Sequence, residues 1–136
     1  MEYAEEERFV RSFIRKNRRE RLLHELTTPK KRQAGIMRFC HTAEDLLDPS
    51  KIRLKGSGPE WRKEFAEFVR KHGGPCRVVS DDRWLDGVLP LAQAAAEADL
   101  CDGAVLILGS GFAVVYAEAG PGGRDRYLLC EEGEDV

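Results

Sequence analysis

Three carboxylates offer the best case for metal chemistry in this chain. Asp81, Asp82 and Asp86 follow an apolar run, Cys76 to Ser80, that reads as a strand. Ligands of sheets with parallel strands collect at the carboxyl ends of those strands. Carboxylates placed there hold Mg²⁺ through oxygen while the ion keeps several waters. Beside a basic segment, such a site suits divalent-metal-dependent phosphoryl transfer or a nuclease-like reaction. The plainer reading is loop chemistry: Asp86-Gly87 is an ordinary turn pair, and no second acidic group marks another strand end. The trio stands as the metal candidate of an alternative reading, and the sequence assigns neither a catalytic residue nor a cofactor.

Other reactive side chains carry less. Gly109-Ser110-Gly111 is not a nucleophile elbow, which needs G-x-S-x-G between a strand and a helix; here Leu108 precedes the first glycine and a strand-like run follows the last. No histidine stands ready as its base, since His24 and His41 fall on helices and His72 closes an apolar stripe. The cysteines at 40, 76, 101 and 130 include no close pair of the kind that zinc sites use. They read as small reduced hydrophobes of an intracellular chain. Neither phosphate-loop pattern occurs. Trp84 and Tyr116 could stack bases but read more simply as packing residues.

The charge distribution says more than its sum. The net charge is −2, yet residues 8 to 32 hold ten basic side chains against two acids, a local charge of +8. Residues 96 to 136 hold nine acids and two bases, a local charge of −7. Arg11, Arg15, Arg18 and Arg19 recur at helical spacing. Lys30, Lys31 and Arg32 fall in the first turn of the next helix, where the helix dipole disfavours cations. That placement calls for something anionic nearby, such as a phosphate or the acids of Glu5-Glu6-Glu7. These seven basic residues are the candidate partner-binding set. Phosphate binding by them would be non-specific and salt-dependent, because no RNP aromatics, G-x-x-G clamp or helix-turn-helix spacing supplies base readout.

The elements that must position these residues follow from periodicity. Phe9, Val10, Phe13 and Ile14 share one helical face, and Leu22, Leu23 and Leu26 share another. The phase change predicts two helices, over 4–16 and 18–26, with Asn17 capping the second. Thr28-Pro29 starts a third, which Leu47-Asp48-Pro49 ends, and Gly35 within it marks close packing on a neighbour. A short strand spans 51–55. Ser57 and Glu60 form a capping box before a helix whose Trp61, Phe65, Phe68, Val69 and His72 make one stripe. Pro90 opens an alanine-rich helix. Ala104 to Leu108 is apolar throughout and reads as a strand covered on both faces. Glycine-rich turns then lead to strands over 112–118 and 126–131.

These elements predict an α+β fold: an N-terminal helical arm, then a mixed sheet of β-α-β-α-β plus a C-terminal antiparallel meander, with helices packed on it. The segments 55 to 76 and 80 to 104 are long enough for right-handed parallel crossovers. The 136 residues make one domain, with a helical part over 1–47, an α/β part over 51–131 and an acidic tail over 132–136. Hydrophobic residues are 42% and charged residues 34%, a water-soluble balance. No apolar run approaches the roughly 20 residues of a membrane span, and the acidic start is unlike a signal peptide. The expectation is a small, non-catalytic cytoplasmic binding module that docks an anionic partner through its basic N-terminal helices. That partner is nucleic acid or an acidic protein surface. The alternatives are the metal-dependent enzyme at Asp81, Asp82 and Asp86, and a homo-oligomer that sets basic arm against acidic face.

Overall fold

The computed structural model describes residues 3–56, 58–80, 86–100, 104–118 and 124–131. Along the chain run α1 (Ala4–Phe13), α2 (Arg19–Leu26), α3 (Pro29–His41), α4 (Ala43–Leu46), β1 (Ile52–Gly56), α5 (Pro59–Lys71), β2 (Pro75–Ser80), β3 (Gly87–Pro90), α6 (Leu91–Leu100), β4 (Val105–Leu108), β5 (Phe112–Glu118) and β6 (Arg124–Cys130). The strands form one six-stranded sheet in the order β1-β6-β5-β4-β2-β3. The fold is α+β, with helices on both faces of that sheet.

Strand alternation divides the core in two. Leu106, Leu108, Ala113, Val115, Tyr127 and Leu129 point to one side, where they meet Phe9, Val10 and Phe13 of α1, Leu22 and Leu26 of α2, and Ile36 and Phe39 of α3. Val105, Ile107, Val114, Tyr116 and Leu128 point to the other, against Trp61, Phe65 and Phe68 of α5 and Leu91, Ala94 and Ala98 of α6. All four β4 residues are buried, as an apolar strand covered on both faces requires. The α5 stripe packs as its periodicity predicts, with Val69 only partly buried. The helical N-terminal part and the strands thus share a core.

Strand direction differs from the expectation. All five pairings between neighbours are antiparallel, so the sheet is not mixed. β1 and β2 do point the same way, and α5 does cross between them, but they lie at positions one and five of the sheet. The second crossover, through α6, joins β3 to β4 and steps over β2. The physical reason is β3, which reads from sequence as a turn pair followed by a helix start. It reverses the chain after β2, so that β4 returns antiparallel to β2.

The N-terminal helices break where the stripe changes phase. α1 ends at Phe13, Ile14 turns extended and bridges Leu47, and Lys16–Arg18 form a 3₁₀ turn. Asn17 lies inside that turn, and Arg18 takes the N-cap position of α2 without a side-chain cap. α2 and α3 then pack side by side. A Cβ at Gly35 would stand 2.8 Å from the Cβ of Glu25, so this close approach excludes larger residues. Thr28 holds the N-cap position of α3, but its hydroxyl donates back to the His24 carbonyl instead. Gly58 is the N-cap of α5, and Ser57 lies outside the described residues.

Candidate functional site

The seven basic candidates fall into two groups, and one of the seven turns inward. Arg11, Arg15, Arg18 and Arg19 gather where α1 ends and α2 begins. Lys30 and Lys31 are exposed at the start of α3, at the far end of α2. The eight residues of α2 set the two groups about 12 Å apart along the axis. Arg32, in the same helical turn, points inward.

The α1–α2 junction holds its arginines by the backbone. Broken helices leave carbonyls without intrahelical donors, and two of these accept from guanidinium groups. The Arg15 Nε donates to the Leu47 carbonyl at 3.0 Å, and the Arg19 Nε to the Ile14 carbonyl at 2.9 Å. The Arg15 amide also donates to the Leu46 carbonyl at 2.8 Å. Lys16 and Arg18 stand exposed between these anchors, with no carboxylate in reach among the described residues. Arg11 is exposed too and pairs along α1 with Glu7, at 2.8 Å. A further basic residue, Arg8, is engaged by Glu131: its Nε donates to Oε2 at 2.8 Å, and the Ser12 hydroxyl reaches the same oxygen at 3.3 Å.

Arg32 finds its anion in the chain itself. Its Nη2 lies 2.7 Å from Glu6 Oε2 and 3.3 Å from Asp86 Oδ2, and its Nη1 donates to the Leu26 carbonyl at 2.8 Å. The Tyr3 ring covers the guanidinium, 5.3 Å away. Arg77 closes the group, with Nε 3.3 Å from Glu6 and Nη2 3.2 Å from Asp86. Two carboxylates and two guanidiniums therefore balance where α1, α3, β2 and the start of β3 meet. Glu6 is fully buried, and among the described residues its Oε1 has no hydrogen-bond partner. The sequence offers Glu6 as one of the acids Glu5-Glu6-Glu7 that could offset the cations of the α3 start, and Glu6 is the one that does so for Arg32; nothing in the sequence points to Arg77. A signal was present for Glu6: it lies three, four and seven residues before Phe9, Val10 and Phe13, on the buried stripe.

This arrangement bears on the acidic trio. Both Asp86 oxygens are occupied by arginines, and Oδ2 also accepts from the Ser80 amide at 3.1 Å. A metal at Asp86 would compete with two guanidiniums. Asp81, Asp82 and Trp84 lie outside the described residues, among which no group of three acids, histidines or cysteines is placed to hold a metal ion. Ser110 sits in the β4–β5 hairpin, whose Gly109 amide donates to the Phe112 carbonyl at 3.0 Å. Tyr116 is 1% exposed, with Arg126 over its ring, so it packs rather than stacks a base. Cys40, Cys76 and Cys130 are buried and in no disulfide among the described residues, and burial pushes the Cys76 thiol up. Among the described residues no helix is long and apolar enough to cross a membrane.

Comparison with protein families, curated proteins and solved structures finds no match for this chain.

Proposed function

We propose that this protein is a binding module that docks nucleic acid through the basic face where α1 ends and α2 begins. The observation that carries this reading is the pair of anchored arginines, Arg15 and Arg19, flanking exposed Lys16 and Arg18. A free arginine loses considerable rotamer freedom when it binds an anion. Here each Nε is already tied to a carbonyl, so the remaining N–H groups are held in place before any partner arrives. Guanidinium forks match phosphate oxygens in geometry as well as charge. A face of this kind positions a backbone and reads no bases.

The test is anisotropy of a labelled generic duplex and a single strand across a salt series. Affinity should fall steeply with salt and should weaken strongly in Lys16→Glu/Arg18→Glu, which leaves both carbonyl anchors intact. No binding at low salt, or binding indifferent to salt, overturns the reading. Binding only to an acidic protein surface assigns the face to the other partner class.

A further inference from the structure

On the opposite side of the sheet from the basic face, α5, β1 and β6 line an open pocket of about 130 Å³. Its floor is Leu54, Phe68 and Leu128. We propose that it binds a small zwitterion with an ammonium and a carboxylate at opposite ends of a short methylene body, the class of ω-amino acids.

The argument starts from chain direction. Only two residues separate β1 from α5, so the helix runs back along the strand. The C-terminal end of α5 therefore lies over the start of β1. The helix supplies Glu64, Glu67, Lys71 and His72 to the pocket wall, and β1 supplies Arg53. Glu64 and Lys71 mark the two ends of the wall; Glu67, between them, is paired with Arg70, and Arg53, on β1, also reaches the Cys130 sulfur at 4.0 Å. Glu64 and Lys71 are seven residues apart, a rise of about 10 Å.

His72 sets the wall at the cationic end. Its ring stacks on Phe68 with centroids 3.9 Å apart. Its Nδ1 lies 3.1 Å from the Phe68 carbonyl and donates to it, which leaves Nε2 as the other polar atom of the ring. A ligand that is only an anion would meet Glu64, and one that is only a cation would meet Lys71. A molecule carrying both charges at opposite ends satisfies both groups and lays its methylenes on Leu54 and Leu128. Pockets that combine an apolar lining with a few placed polar groups are the usual form of small-molecule sites.

The experiment is an amide-resonance titration with 4-aminobutyrate and 6-aminohexanoate, with butyrate and butylamine as controls. The amino acids should bind saturably, with shifts centred on Leu54, Phe68 and His72. Each control should bind about fivefold more weakly, the worth of one exposed charge pair. Glu64→Gln should lower affinity for the amino acids and for butylamine but not for butyrate. Lys71→Met should do the reverse. Both positions are exposed, so these variants keep the fold. Absence of saturable shifts, shifts centred elsewhere, or equal binding of butylamine and the amino acids overturns the proposal.

Discussion

Arg32 stands 2.7 Å from Glu6, a carboxylate with no exposed surface, although 26 residues separate them in the chain. This contact answers the cation in the first turn of α3: the anion that offsets it belongs to α1. Removing one member of a buried pair leaves the other uncompensated and costs about 3 to 5 kcal/mol. Glu6→Leu and Arg32→Met should each destabilise by about that much in urea unfolding. The double variant should be more stable than Glu6→Leu alone, because Arg77 and Asp86 still pair with one another. Single variants within about 0.5 kcal/mol of wild type, the range of ordinary surface changes, would show that water reaches the cluster.

The split of the basic candidates makes a second prediction. If phosphates are bound at the α1–α2 junction, removing each ionic partner of a phosphate should lower the salt slope by about 0.7 to 0.9. Lys16→Glu/Arg18→Glu should therefore flatten the slope of nucleic-acid binding. Lys30→Glu/Lys31→Glu, at the far end of α2, should leave it nearly unchanged for a short single strand. A longer duplex that spans both ends should respond to both pairs. Equal effects of the two pairs on the short strand would place the binding face elsewhere on the helical layer.

Where local pattern decides structure, the sequence was readable. The stripe Trp61, Phe65 and Phe68, the apolar β4 and the glycine-rich hairpin after it each declare themselves within a dozen residues. The phase change at Asn17 likewise foretold the broken helix whose free carbonyls hold Arg15 and Arg19. Strand order was not readable, because it turns on β3, whose Gly-Val-Leu-Pro is too short for periodicity and is set by pairing with β2. Nor was the inward turn of Arg32 in particular: the sequence offers Glu5-Glu6-Glu7 as an anion for the three cations, but which cation takes it depends on Arg77 and Asp86 arriving from other elements. Lys30, Lys31 and Arg32 look alike in the chain, and only tertiary contacts separate the exposed lysines from the paired arginine.

Acid should release the contact between α1 and the end of β6. The Arg8 guanidinium donates to Glu131 and holds its carboxyl below the ordinary value of 4.5. A lowered folded value means that the stabilisation is present above the unfolded value and is lost as pH falls through the folded one. Both side chains are partly exposed, so the pair contributes about 0.2 to 1 kcal/mol. Arg8→Gln should lower the urea midpoint at neutral pH, and the gap to wild type should close below the ordinary value of the carboxylate. A gap that persists there would assign the loss to packing of the Arg8 stem.

The β4–β5 hairpin depends on a glycine for space rather than for backbone freedom. A Cβ on Gly109 would clash with Cζ and Cε1 of the Phe112 ring. That ring is buried, edge-on to Phe68 at 5.0 Å and near His72 at 5.8 Å, so it cannot swing away without opening the α5 contact. Gly→Ala at a compatible backbone position stabilises a protein slightly by restricting the unfolded chain. Here overpacking should reverse the sign, and Gly109→Ala should cost about 1 to 3 kcal/mol. Shortening the ring should make room, so Gly109→Ala/Phe112→Leu should lose less than the sum of its single changes, by about 0.5 kcal/mol or more. Gly111, at φ +83 with nothing near a Cβ, is the control. Its alanine variant is strained by backbone conformation alone, so Phe112→Leu should not rescue it. Additivity at both glycines would show that the Phe112 ring yields freely.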